Sequence, residues 1–169
     1  GRVCVAKLRP MSIGRPSSIA IAETDPGDPA ARFCLNAYFD LLADRIPGIE
    51  RAHVPDPDPD AALFRAPHGT FLLACADGPP LACVSLKRTD ARTGEIKRLW
   101  VAPTARGQGL ARRMMTAAED AARAFGMTRL ILDTNEHLPE AIALYRATGW
   151  ADIAPYTPFP ATHWFGKTL

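Results

Sequence analysis

The chain has 169 residues, 47% of them hydrophobic, which suits one buried core and is too short for two ordinary domains. Its 20 basic and 18 acidic side chains leave a formal net charge of +2, without the basic excess typical of proteins that bind nucleic acid or anionic membranes. Apolar runs such as Phe71–Ala76 are far shorter than a membrane span, and residues 1–20 lack the apolar centre of a signal peptide. We therefore expect a cytoplasmic globular protein, with neither nucleic acid nor a membrane as its partner.

The cysteines and the N-terminus carry no functional signal. The four cysteines form no C-x-x-C pair and have no histidine at zinc spacing, so we expect no metal site. The chain begins with Gly1, and Met11 lies just inside it. We therefore expect residues 1–17 to be an N-terminal tail, either disordered or vector-derived, and residues 18–169 to form a single domain.

The first third of the chain predicts one strand, one helix and one loop. Residues Ser18–Glu23 alternate weakly, as a short strand does. Asp28 and Pro29 are typical of the cap and first turn of a helix, which we expect to run to about Asp44. The repeated Asp-Pro pairs of His53–Asp60 predict an extended loop, because proline disfavours helix in the residue before it.

The middle of the chain predicts an antiparallel meander. Thr70–Ala76 and Leu81–Lys87 are joined by an Asp-Gly-Pro-Pro turn and are typical of a hairpin. Glu95–Val101 then supplies another strand after Gly94.

Beyond Pro103 the hydrophobic period becomes helical, and this amphipathic helix ends at Gly126. The remaining pattern predicts a strand, a helix and a last strand, at Arg129–Thr134, Pro139–Thr148 and His163–Thr168. The order of elements indicates an α/β or α+β domain.

The segment Arg106–Ala111 lies between a strand and the start of the amphipathic helix, and two of its residues are glycines. Such a helix start presents free N–H groups that suit an anion such as a pyrophosphate, although a simple tight turn also explains the glycines. The P-loop pattern is absent, and Arg112 stands where a dinucleotide fingerprint needs Gly or Ala. Asp133 mimics the ribose-binding acid of that fingerprint, but too little chain follows for its usual strands.

Three segments together resemble the GNAT superfamily of N-acetyltransferases: Glu95–Pro103, Arg106–Ala111 and Ala141–Trp150. The resemblance implies an α+β (α/β) fold with a mixed, mostly antiparallel sheet of about six or seven strands and about four flanking helices. It also implies that the sheet splays open between the strands Glu95–Val101 and Arg129–Thr134, and that residues 18–169 are one N-acetyltransferase domain.

The resemblance implies acetyl-CoA as co-substrate, no metal, and direct transfer of the acetyl group to a primary amine of a small molecule. The asparagine that many members carry seven residues before the conserved tyrosine is replaced by Leu138, so Asn135 is the candidate for that contact. The residues expected to bind the coenzyme are Leu99, Trp100, Val101, Arg106, Gly107, Gln108, Gly109, Leu110, Ala111, Arg112 and Asn135.

Tyr145 matches the tyrosine that faces the coenzyme sulfur, and as a phenol it can donate a proton, although a buried core tyrosine has the same sequence signature. Glu95 matches a strand glutamate that serves as base through water, with a solvated strand-end charge as the alternative. His163 is a second candidate base, and the Leu99 N–H is the expected oxyanion donor.

Other functional questions stay open at this stage. The acceptor pocket is expected from Arg45–Asp60, the hairpin and Tyr156–Trp164. A homodimer is neither supported nor excluded. The alternative to an enzyme is a non-catalytic acyl-CoA sensor or interaction module that keeps the same coenzyme site.

Overall fold

The computed structural model describes residues 18–169, so the prediction for residues 1–17 lies outside the described residues. The strands of this part form one seven-stranded sheet in the order β1-β2-β3-β4-β5-β7-β6. Neighbouring strands are antiparallel except for the parallel pair β4 and β5, which confirms the predicted mixed, mostly antiparallel sheet. The strands are β1 Ala20–Glu23, β2 Gly69–Cys75, β3 Ala82–Arg88, β4 Thr93–Val101, β5 Arg129–Thr134, β6 Ala151–Asp152 and β7 His163–Thr168.

Three α-helices flank this sheet within residues 18–169, where the sequence led us to expect about four: α1 Pro29–Arg45, α2 Leu110–Ala124 and α3 Pro139–Ala147. Two short 3₁₀ helices, Ala61–Phe64 and Pro103–Ala105, complete the helical elements. Both α1 and α3 begin with proline, which fits the first turn because its missing N–H has no helical partner there. None of the helices of residues 18–169 is both long and apolar enough to cross a membrane.

The two faces of the sheet bury two separate cores. Along β2, Leu72 and Ala74 pack on the α2 side, whereas Phe71 and Leu73 pack on the α1 side. This division arises because successive side chains along a strand point to opposite faces of the sheet. The α2 side also includes α3, and Leu130 and Leu132 of β5 point to it, which leaves Asp133 on the α1 face.

A β-bulge interrupts β4. Between the registered pairs Ser85–Lys97 and Cys83–Trp100, β4 has two residues, Arg98 and Leu99, where β3 has one, Val84. Arg98 has φ 57, in the left-handed region that a non-glycine residue seldom adopts. The bulge exchanges the faces: Ile96 packs in the α2-side core and Trp100 in the α1-side core. Lys97 and Arg98, although consecutive, therefore both lie on the α1 face.

The sheet splays where the sequence predicts it. β4 and β5 pair only from Thr93 to Glu95, against Arg129 to Ile131, among the pairs described. Beyond that point β5 stays paired with β7 as far as Thr134. A gap therefore opens between the second half of β4 and the end of β5, and the candidate site lies at this gap.

Candidate active site

A cavity of about 500 Å³ lies between α1, the end of β4, the start of α2 and α3. Its lining includes all of the residues predicted to bind the coenzyme except Gln108 and Asn135. The residues that line it are Tyr38, Leu41, Arg45, Leu99, Trp100, Val101, Ala105, Arg106, Gly107, Gly109, Leu110, Ala111, Arg112, Leu138, Glu140, Ala141 and Leu144. We call it the coenzyme cavity.

The start of α2 forms the polar end of the coenzyme cavity. Gly107 and Gly109 both have φ +74, and a Cβ added to either would meet no heavy atom within 4 Å among the described residues. Gly109 caps α2, and no side chain of residues 18–169 caps this helix start. The first N–H groups of α2 therefore face open space, where the helix dipole favours a negative charge.

Two arginines border this helix start. Arg106 and Arg112 line the coenzyme cavity. The Arg106 Nε donates to the carbonyl oxygen of Val101 at 3.1 Å, which holds the guanidinium beside the end of β4. Arg113 instead donates to the carbonyl oxygen of Ile19 at 2.8 Å and so turns toward the first strand. The residues present at this end fit a pyrophosphate group.

A second cavity of about 350 Å³ adjoins the first at the gap, and we call it the acceptor-side cavity. Four residues line both cavities: Tyr38, Leu99, Leu138 and Ala141. The other walls of the acceptor-side cavity are Phe39, Leu42, Ile96, Lys97, Arg98, Asp133, Thr134, Tyr145, Thr157, Pro158, Phe159, Pro160 and Ala161. Because they share walls, groups bound in the two cavities would meet at the splayed strands.

Tyr145 lines the acceptor-side cavity although α3 packs on the opposite face of the sheet. The centroid of its ring lies 6.0 Å from that of Trp150 and 5.8 Å from that of Phe165, and the residue is 5% exposed. Burial first, then the nearby Tyr38 and Asp133, raises the pKa of this phenol above its usual value. Its hydroxyl therefore stays protonated at neutral pH and can donate a proton.

Glu95 is buried but lies outside the lining of both cavities. The hydroxyl of Tyr156 donates to Glu95 Oε2 at 2.8 Å, and this contact, after burial, raises the pKa of the phenol. The ammonium groups of Lys87 and Lys97 lie 3.4 and 3.5 Å from the carboxylate. Of this group, Lys97 reaches the acceptor-side cavity.

Other predicted residues lie away from the two cavities. The Asn135 amide donates to the carbonyl oxygen of Pro160 at 2.6 Å, and its oxygen accepts the His137 N–H at 2.8 Å, so it braces a loop. The His163 ring lies 2.9 Å from the Thr162 hydroxyl and stacks on Phe165. The structure thus brings Tyr145 and the helix start together at the gap, but Glu95, Asn135 and His163 do not line either cavity.

Sequence reasoning missed Tyr38, included Thr157 only within the expected acceptor segment Tyr156–Trp164, and gave Asp133 no role at this site. Tyr38 follows the apolar stripe of α1, three residues before Leu41, a helical spacing that marks it as inward-facing. The Thr157 hydroxyl donates to Asp133 Oδ2 at 2.7 Å across 24 residues of chain, a contact that no local pattern indicates. No group of three or more potential metal ligands occurs among residues 18–169.

A mixed sheet that opens beside an uncapped helix start, with two adjoining cavities at the opening, is the arrangement expected of an acyltransferase fold. The family model described as Acetyltransferase (GNAT) family matches residues 35–150. This match covers more than half of the chain, and the chain therefore belongs to the GNAT acetyltransferase family.

Individual relatives agree with this class. An IAA acetyltransferase from Azospirillum brasilense is 39% identical over 101 residues, which cover 59% of this chain and 66% of that protein. A mycothiol acetyltransferase from Beutenbergia cavernae is 40% identical over 83 residues, 49% of this chain and 28% of that protein. The chain thus spans less than two thirds of the length of these curated relatives.

Solved structures support the fold. An acetyltransferase from Streptococcus agalactiae superposes with a TM-score of 0.71 and 20% identity, over 89% of this chain and 98% of that one. At this identity the likeness concerns the fold alone.

Proposed function

We propose that the protein transfers an acetyl group from acetyl-CoA directly to a primary amine of a small molecule. The observation that carries the proposal is the junction of the coenzyme cavity and the acceptor-side cavity in the gap of the sheet, with the Tyr145 phenol at its edge. When bound, acetyl-CoA supplies the acetyl group as a thioester. The residues described here supply binding, orientation and proton transfer.

The start of α2 binds the diphosphate in this proposal. Free N–H groups from Gly107 onward donate to it, each charge-assisted hydrogen bond contributing roughly 1.5–3 kcal/mol, and Arg106 and Arg112 add positive charge. The second half of β4 is paired with β3 but not with β5, and its free edge binds the pantetheine arm as a neighbouring strand would, through the backbone of Leu99 and Val101.

Three groups serve the transfer itself. The Leu99 N–H stabilises the negative charge that develops on the acetyl oxygen. The protonated Tyr145 hydroxyl gives its proton to the departing thiolate. Glu95 accepts the amine proton through water, with Lys97 and Tyr156 fixing its carboxylate. Direct transfer needs no acetyl-enzyme, so neither of the buried thiols, Cys34 and Cys83, has a catalytic part.

Thiol release from acetyl-CoA with a panel of primary amines tests this proposal. Tyr145→Phe retains the ring that packs on Trp150 and Phe165, so we expect kcat to fall about 100-fold while acetyl-CoA binding is unchanged. Glu95→Gln is expected to lower kcat as well. Initial-rate patterns should show a ternary complex. Binding of acetyl-CoA without turnover on any amine would contradict catalysis and favour a sensor, and an isolable acetyl-enzyme would contradict direct transfer.

A further inference from the structure

Asp133 is the one charged residue lining the acceptor-side cavity without an oppositely charged partner within residues 18–169. Three charged residues line this cavity: Lys97, Arg98 and Asp133. Lys97 pairs with the Glu95 carboxylate at 3.5 Å. Arg98 lies 4.0 and 3.8 Å from two carboxylates of residues 58 and 60. The cavity therefore has one charge left to neutralise, and that charge is negative.

The Asp133 carboxylate is held in place from one side. Thr157 donates its hydroxyl proton to Asp133 Oδ2 at 2.7 Å, and Trp164 Nε1 donates to that same hydroxyl oxygen at 2.8 Å. Trp164 is also the cross-strand partner of Asp133 in β7. Among the described residues no hydrogen bond reaches the other carboxylate oxygen, Oδ1, which leaves it free for a ligand.

Two phenols, those of Tyr38 and Tyr145, line the same cavity as this acid. The Asp133 charge is one cause, after burial, of the raised pKa values of Tyr38, Tyr145 and Tyr156. Tyr145 is the proposed proton donor to the thiolate. A cation bound at Asp133 would therefore share one cavity with the proposed proton donor.

The remaining walls are mostly apolar. Tyr38, Phe39 and Leu42 of α1 form one side, and the loop Thr157–Ala161 forms the other. Phe159 in this loop is 65% exposed, although burying a large apolar side chain away from water is energetically favourable. An exposed aromatic ring at a cavity mouth suits contact with an apolar ligand.

We infer that Asp133 binds the ammonium group of the acceptor, and that the acceptor is an apolar or aromatic primary amine without an acidic group. The inference rests on the proposed function and specifies its substrate class. A carboxylate on the acceptor would lie near the Asp133 charge, and the charges of Lys97 and Arg98 already face carboxylates of this chain, although the Arg98 Nη1 makes no hydrogen bond among the described residues. Thr157 acts as a positioning residue that orients the Asp133 carboxylate.

Two acceptors that differ in one carboxylate test the inference: 2-phenylethylamine and L-phenylalanine. The full chain is assayed for thiol release with each, and 2-phenylethylamine is also titrated calorimetrically into protein saturated with coenzyme A. Asp133→Asn removes the charge but still accepts the Thr157 hydrogen bond. Asp120→Asn is the matched control, because Asp120 is exposed on α2 and pairs with Arg123.

The wild-type protein should prefer 2-phenylethylamine in kcat/KM. Asp133→Asn should raise KM and the calorimetric Kd for this amine roughly 10- to 100-fold, with a smaller change in kcat, and Asp120→Asn should change neither. Equal binding by wild type and Asp133→Asn, or a wild-type preference for L-phenylalanine, would overturn the inference while leaving amine acetylation intact. Absence of thiol release with every amine would instead refute the proposed function, and the calorimetric comparison would still decide the role of Asp133.

Discussion

Replacing Gly109 by alanine separates backbone strain from loss of coenzyme binding, because the chain provides a matched position. Gly109 and Gly126 lie at opposite ends of α2, with φ +74 and +77, and a Cβ at either would meet nothing within 4 Å among the described residues. Alanine should therefore cost the same backbone strain at both, roughly 1–2 kcal/mol. For a chain of this size that corresponds to about 2–4 °C in Tm per kcal/mol.

Of Gly109 and Gly126, only Gly109 lines the coenzyme cavity. A Cβ there occupies space in front of the α2 N–H groups, so a bound diphosphate must move away from at least one of them. The loss of one charge-assisted hydrogen bond, roughly 1.5–3 kcal/mol, weakens acetyl-CoA binding about 10- to 100-fold. Thermal unfolding measures the shared strain, and calorimetric titration with acetyl-CoA measures the difference. Equal Kd values for Gly109→Ala and Gly126→Ala would refute the assignment of this helix start as the diphosphate site.

Three further predictions concern ion pairs and a titrating carboxyl. The Lys167 ammonium lies 2.8 Å from the buried Glu119, so Lys167→Met should lower the free energy of unfolding by about 1–3 kcal/mol in urea denaturation, and adding Glu119→Gln should restore part of it. Two backbone N–H groups donate to Asp90 and lower its pKa below the ordinary 3.8. Its stabilising effect is therefore present above that value and lost as the pH falls through the folded pKa, so Asp90→Ala should be less stable than wild type at neutral pH, with the gap closing in acid. Arg45 and Glu140 form an ion pair between α1 and α3 beside the coenzyme cavity. Arg45→Met should speed acetyl-CoA release at most about fivefold in stopped-flow displacement, and less at high salt.

Features that depend on short stretches of chain were predictable from the sequence. The glycines at 107 and 109 indicate a turn that leads into a helix. The helical spacing of apolar residues beyond it predicts α2, which ends at Ala124 where the sequence predicted an end at Gly126. The strand at Arg129–Thr134 has the predicted bounds. Local backbone preference and hydrophobic periodicity predict these elements, because both signals come from the residues of the element itself.

Contacts between distant residues were not predictable. Period-two alternation puts Glu95 on one face of β4, but nothing local indicates that Tyr156, 61 residues later, donates to it. The two-residue strand at Ala151–Asp152 is too short to show a period. The left-handed Arg98 has no local signal either, because arginine seldom adopts a positive φ and tertiary packing imposes it here.

The extra residue in β4 has a consequence for how this strand can vary. It puts the two halves of the strand out of phase, so that Trp100 fills one core while Leu99 turns to the gap. Deleting one of the two residues between Lys97 and Trp100 would leave a single residue there, opposite Val84, so Trp100 would still pair with Cys83 and keep its place in the core. The effect of such a deletion would fall on the gap instead, because Arg98 and Leu99 both line the acceptor-side cavity.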